Sequence, residues 1–310
     1  MRDAFVRALG GLAESDPRIF LITGDLGFGV LTEFAKRRPR QFLNVGVAEQ
    51  NMTGVAAGLA LEGRIVFTYS IGNFPTLRCL EQVRNDACYH DANVKIVAIG
   101  GGFSYGALGV SHHATEDLAI LRSLPRLSVV APGDRWEAAE GTRALAATPG
   151  TAYLRLDKSS APDTSRPGER FELGRARRLR EGTDLTIVST GGILGVALEA
   201  AAELNGHGIE CRVLSMHTLK PFDADAIFAA ARETDGILSV EEHSVIGGLG
   251  SAVAETCLEA GVIPRFFARI GLRDEFSSIV GGQDYLRARY GMDARAIVAR
   301  ALALRGTPVS

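Results

Sequence analysis

Cysteine is scarce and scattered: Cys79, Cys88, Cys211 and Cys257 are the only four in 310 residues, and no two stand in a C-x-x-C spacing. That speaks against a disulfide framework or a zinc site and fits a reducing, cytoplasmic setting. A dense block of Lys and Arg is also missing, and 34 basic against 36 acidic side chains leave a formal net charge of −2. Neither a nucleic-acid surface nor a polybasic membrane anchor is expected on that charge pattern, which leaves small molecules and other proteins as partners. No run of 18 apolar residues marks a membrane span. The opening "MRDAFVRALGGLAESDPRIF" reads as an amphipathic helix without the long apolar core of a secretory signal. Nucleotide fingerprints fail as well. Gly100, Gly101, Gly102 and Gly106 do not make G-x-G-x-x-G, no P-loop lysine follows them, and "GGLGSAVAE" lacks the third glycine. A nicotinamide-dependent oxidoreductase is therefore disfavoured.

What is present is a soluble globular composition, 46% apolar and 23% charged, long enough for two domains that each bury a core. Short Val/Ile/Leu runs alternate with helical patterns from end to end. "RIFLITG", "RIVFTYS", "VKIVAIG", "LSVVAP" and "TAYLRL" read as strands of the first half, and "DLTIVSTG", "ECRVLSM", "GILSVEE" and "RFFARIG" as strands of the second. "FPTLRCLEQVRNDACYH", "DRWEAAEGTRALAA", "GVALEAAAELNGHG" and "FDADAIFAAARET" read as helices between them. The apolar runs are not strictly period two, as expected of mostly parallel sheets covered by helices on both faces: an α/β protein. Residues 161–182, rich in Pro, Ser, Gly and charge, read as a linker between a domain at 1–160 and one at 183–310.

Ligand sites in such folds lie outside the carboxyl ends of strands, and four strand ends carry polar loops: "TGDLGFG", "GVAEQN", "TYSIGNF" and "GGGFSYGALGVSHHATED". In "NVGVAEQNM", Glu49 sits among small and apolar residues just ahead of the helix-like "TGVAAGLALEG". Two readings are open for it: a helix N-terminal acid favoured by the macrodipole, or a partly buried acid whose proton matters. His112 and His113 are either a hydrogen-bonded loop pair or functional; no acid or Cys stands at metal-ligand spacing from them, so no metal site is expected.

Taken in order, "NVGVAEQNM", "FTYS", "LRCLEQVRND", "GVSHHATEDLAILRSLP", "VVAPGD" and "TAYLRL" resemble the pyrimidine-binding domain of the transketolase family. "DLTIVSTGG", "VLSMHTLKPFD", "VEEHSVIGGLGSAVAE" and "DYLRARYGMDARAI" resemble that family's C-terminal domain. The resemblance implies thiamine diphosphate as cofactor. It implies that Glu49 faces a ring nitrogen of the aminopyrimidine and favours the imino tautomer that generates the thiazolium ylid, a task that calls for a carboxyl held away from water. It further implies an aromatic partner for the pyrimidine, for which Tyr69 and Phe74 are favoured and Phe67 is the third candidate; the spacing here departs from the family pattern. Asp25 in "TGDLG" resembles an Asp lining the cofactor cleft. His112 falls on the substrate-binding histidine of a Thr-His-Gln motif, with His113 in the Gln position. Arg78 and Arg155 are candidate forks for a substrate phosphate or carboxylate. His243 is expected to be structural.

Full-length members of that family carry a further N-terminal domain that grips the diphosphate through Mg²⁺, marked by Gly-Asp-Gly and a later Asn. No Gly-Asp-Gly occurs here. The expectation is a split enzyme: this chain as the C-terminal, beta-like subunit, an N-terminal subunit supplying the diphosphate domain and Mg²⁺, and an α2β2 assembly. The implied activity is ketol transfer from a ketose phosphate to an aldehyde. The alternatives are the beta subunit of a 2-oxo-acid dehydrogenase first component, a deoxyxylulose-phosphate-synthase-like enzyme, or a silent scaffold.

Overall fold

The computed structural model describes residues 1–304 and contains two sheets. The first half supplies β1 (Ile19–Thr23), β2 (Phe42–Asn44), β3 (Ile65–Ile71), β4 (Val94–Ile99), β5 (Leu127–Val130) and β6 (Thr151–Leu156). The second supplies β7 (Arg177–Arg180), β8 (Leu185–Thr190), β9 (Cys211–Ser215), β10 (Thr218–Lys220), β11 (Gly236–Ser244) and β12 (Phe266–Leu272). The sheet orders are β10-β5-β6-β4-β3-β1-β2 and β12-β11-β8-β9-β7. Every pairing is parallel except β10 with β5 and β7 with β9. This is the α/β architecture of mostly parallel sheets that the patterning implies.

Both faces of the first sheet are covered, which is why β4 and β6 are buried at all six positions instead of at alternate ones. On one face Phe5, Leu9, Ala138 and Leu145 of helices Arg2–Ser15 and Arg135–Ala147 pack on Phe67, Tyr69, Val97 and Leu154. On the other, Met52, Ala56, Val83 and Leu118 meet Val66, Ile96 and Tyr153. That second core continues into the other sheet through Val188, Leu214 and Leu249, so one apolar body joins both halves.

Three local features depart from the sequence pattern. β7 lies within the stretch read as linker, tied to Leu214 and Ser215 of β9. β10, from the second half, closes the edge of the first sheet beside Val129 and Val130. The stretch 74–90 is not one helix: a 3₁₀ turn (Leu77–Cys79), one α turn (Leu80–Gln82) and a π-helical segment (Val83–Cys88) follow each other. Pro75 has no N–H to give, and Thr76 sits at φ −109°, ψ −85°, so helical turns of any kind begin only at Leu77.

Each sheet has a reversal point, at which consecutive strands are added on opposite sides of one strand. In the first, β1 leads to β2 on one side and β3 adds on the other; in the second, β8 leads to β9 and β11 adds opposite. A crevice therefore opens outside the carboxyl ends of β1 and β3, and another outside β8 and β11.

Candidate active site

Register alone brings the first crevice together: Thr23 pairs with both Asn44 and Tyr69, so the loops leaving β1, β2 and β3 start level with each other. Asn44 fastens two of them. Its Oδ1 accepts from the amides of Asp25 (2.9 Å) and Gly46 (3.0 Å), and its Nδ2 donates to Asp25 Oδ1 at 3.0 Å. Asp25 sits at φ 58°, a left-handed conformation that Asp tolerates better than most residues. The carboxylate of Asp25 thus holds a loop in shape.

Glu49 is the first residue of helix Glu49–Leu61, and it is only 3% exposed. Its place at a helix N-terminus and its burial both hold, so the two sequence readings are compatible. Gly24, just past β1, lies against it: a Cβ there would stand 3.4 Å from Glu49 Cγ, in ordinary contact. Oε2 accepts from Arg78 Nη1 at 2.8 Å. The apolar frame read from the sequence is therefore incomplete, because a guanidinium 29 positions away reaches the carboxylate.

Phe74 follows, half-buried, with the Arg78 guanidinium 4.5 Å from its ring centre and His112 edge-on at 5.2 Å. His112 is partly buried, its Nδ1 3.0 Å from Ser111 Oγ. Burial, and then the neighbouring His113, hold its pKa below the usual histidine value. Tyr105 lies on its other side, ring centres 6.2 Å apart, with Lys158 Nζ 3.8 Å from the centre of the Tyr105 ring. Next to Lys158 is a cavity of about 360 Å³ at the ends of β4 and β6, lined by Arg2, Arg7, Arg135, Asp3 and Asp157 among others.

Four sequence candidates lie elsewhere. Phe67 and Tyr69 face the Arg2–Ser15 helix, where Tyr69 stacks on Phe5 (6.2 Å, 20°), and burial pushes its phenol far above the usual range. Of the three aromatics, Phe74 is the one that touches the Arg78 guanidinium paired with Glu49. His113 is buried with both ring nitrogens engaged, Nδ1 at 2.7 Å from Ser277 Oγ and Nε2 at 3.1 Å from the Gly106 carbonyl, and thus joins the two halves. Arg155 is fully buried: Nε stands 3.3 Å from Asp157 and 3.7 Å from Asp117, and Nη2 donates to the Glu242 carbonyl at 2.9 Å. A fork enclosed by two carboxylates has no face left for a substrate. His243 is buried between Glu241 and Asp117, in keeping with a structural place.

The sequence reading missed Asn44, Tyr105, Lys158 and the arginines of the cavity. Lys158 carries a signal, a cation two residues beyond "TAYLRL" at a carboxyl strand end. Arg2 carries none, because only the folded helix brings it there.

Comparison with known families matches residues 1–164 to the transketolase pyrimidine binding domain and residues 174–297 to the transketolase C-terminal domain. A subunit of the apulose-4-phosphate transketolase of Phocaeicola vulgatus is 40% identical over 303 residues, 97% of this chain and 96% of that protein. The 6-deoxy-6-sulfo-D-fructose transketolase subunit SqwH of a Clostridium species is 40% identical over 96% of this chain and 92% of its own length. Among solved structures, a split gene transketolase described as an inactive beta4 tetramer superposes with a TM-score of 0.88 at 41% identity, covering 98% of this chain and 97% of that one.

Proposed function

The chain belongs to the transketolase family, and from that premise we propose that it is the pyrimidine-side subunit of a split, thiamine-diphosphate-dependent transketolase. In this reading it moves a two-carbon ketol unit from a ketose phosphate to an aldehyde, with a second subunit holding the diphosphate and Mg²⁺ in an α2β2 assembly. The observation that carries the reading is the buried Glu49 carboxylate at the reversal point of the first sheet, with Phe74 and His112 beyond it.

The residues fit an aminopyrimidine ring. A carboxyl out of water would face a ring nitrogen, and the half-exposed Phe74 offers a flat face. When bound, the cofactor supplies the carbon nucleophile and electron sink that let a bond beside a carbonyl break. Glu49 holds or shares a proton at the ring nitrogen and so sets the ring tautomer. His112, neutral at pH 7 because its pKa is lowered, accepts a proton from a substrate hydroxyl or hydrogen-bonds the substrate oxygen. Lys158 and Arg2, beside the cationic cavity, bind the substrate's phosphate.

A partner is supported by the rim. Phe28 is 79% and Val47 76% exposed on the loops that follow β1 and β2, and Leu43 of β2, Leu77 and Leu108 of short 3₁₀ turns, and Val110 are exposed as well. Apolar side chains gathered in this way mark a protein contact. The two relatives named as transketolase subunits, and the solved split-gene tetramer described as inactive, agree with a chain that works only with another.

The test is reconstitution. Mixed with a Gly-Asp-Gly subunit, thiamine diphosphate and Mg²⁺, the chain is expected to transfer ketol units from a panel of ketose phosphates. Carbon dioxide release from pyruvate or branched 2-oxo acids instead would replace the reading with a dehydrogenase component. The isolated chain is expected to bind the cofactor weakly in calorimetry and turn nothing over. Tight Mg²⁺-dependent binding by it alone would refute the division of labour.

A further inference from the structure

Arg78 covers both groups that the proposed function gives to the pyrimidine. Its Nη1 donates to Glu49 Oε2 at 2.8 Å, and its guanidinium carbon stands 4.5 Å from the centre of the Phe74 ring. Its backbone is pinned from below, where the carbonyl accepts from Gln50 Nε2 at 3.1 Å. The two ends of the ion pair differ sharply: the Glu49 side chain is 3% exposed and the Arg78 side chain 46%. The carboxylate is fixed in the wall, while the guanidinium has solvent beside it and a flexible stem to carry it there. A flat ring cannot lie on Phe74 and bring a nitrogen to the Arg78-bound oxygen of Glu49 while the guanidinium occupies both positions.

We propose that Arg78 is a gate on the pyrimidine pocket. In the free subunit it stands in for the ring: it pairs the buried carboxylate, whose charge would otherwise lie uncompensated out of water, and it covers the aromatic face through a cation–π contact. Entry of the cofactor displaces it into solvent. This rests on the reading of Glu49 and Phe74 given above, and it makes Arg78 a positioning residue for cofactor binding instead of a substrate fork. The gate costs affinity, since the ring must break a pair before making its own. In exchange, the free chain keeps its pocket formed and its carboxylate partnered until cofactor and partner subunit arrive.

The test is a double-mutant cycle read as cofactor affinity, on the reconstituted two-subunit complex, with thiamine diphosphate and Mg²⁺ as the probe in calorimetry. Arg78→Met, which keeps the stem and removes the charge, is expected to lower the dissociation constant about tenfold. In the Glu49→Gln background the same substitution is expected to change affinity clearly less, by about threefold at most, because the ion pair is already gone and only the cover over Phe74 remains to be relieved. Arg78→Lys, measured alongside in case the methionine variant folds poorly, is expected to fall between wild type and Arg78→Met. An affinity unchanged or weakened in both Arg78 variants overturns the gate. So does an unchanged cofactor affinity with a raised KM for the sugar phosphate, which would return Arg78 to the substrate. An equal effect in the Glu49 and Glu49→Gln backgrounds also overturns it, as the mark of a merely structural role. A wild-type complex that binds no thiamine diphosphate removes the underlying reading and the gate together; binding by wild type with weaker binding by the variants removes the gate alone.

Discussion

The two sheets of this protein offer the same opening at their reversal points and treat it in opposite ways. Outside β1 and β3, Glu49, Arg78, Phe74 and His112 form a chain of contacts beside exposed apolar side chains, and among the described residues no carboxylate of the other half reaches in to close it. The crevice outside β8 and β11 is closed by the protein's own carboxylates. Glu241 accepts from the amides of Leu249 (2.7 Å) and Gly250 (2.8 Å), at the start of helix Leu249–Glu259, where a phosphate would otherwise be at home. Asp157, from the first half, takes the amide of Gly192 at 2.6 Å. Glu242 takes the amide of Phe103 at 2.5 Å, Gln283 Nε2 at 2.8 Å and the Arg287 guanidinium. Gly102, at φ 56°, has no room for a Cβ because Glu242 fills the space. An open crevice and a domain joint thus come from one topology, and what closes the second is a carboxylate of the chain itself. The near-nucleotide pattern "GGLGSAVAE" has its physical meaning here, as an anion cradle filled from within.

That contrast can be broken from either side. The largest expected effect is on the open crevice: Glu49→Gln in the reconstituted complex should lower kcat about a thousandfold, measured as ketol transfer, whereas a silent scaffold would lose nothing. On the closed side, Arg287→Met strands buried Glu242 and should cost about 3–5 kcal/mol of stability in denaturant unfolding, while leaving Glu49, Phe74 and His112 in place. His112→Ala should lower kcat/KM about a hundredfold. Because burial lowers the His112 pKa, its ring gains a proton only below the ordinary value of 6.5, so the acid limb of the wild-type pH profile should lie below that value and vanish in the variant. The smallest effect sharpens the comparison most. Glu241→Ala should cost about 1–3 kcal/mol, and inorganic phosphate should raise the melting temperature of that variant but not of wild type, if the two crevices differ only in having a resident carboxylate.

Much of this was legible in the residues. The long apolar runs of β1, β3, β4, β6, β8, β9, β11 and β12 declare themselves, and Glu49 is conspicuous because an acid opens an otherwise small and apolar helix. The short antiparallel edges were not: "RRLR" and "TLK" hold three or four residues, too few for any period, and their pairing is decided by neighbours far along the chain. Parity inside β3 held more than was taken from it. Phe67 and Tyr69 are two apart, so they share a face, and when the helix Arg2–Ser15 claims one it claims both, leaving Phe74 beyond the strand end. Arg155 could not be placed from "TAYLRL", since Asp117 and Glu242 reach it from 38 and 87 positions away only after folding.

The stitch made by β10 has its own consequence. Three residues from the second half complete the edge of the first sheet, so the halves cannot swing apart without unzipping a strand. Any widening of the first crevice must therefore come from loops and side chains, not from a hinge between the halves. A fragment cut after β6 would carry β5 as a bare edge, ready to pair with its own kind.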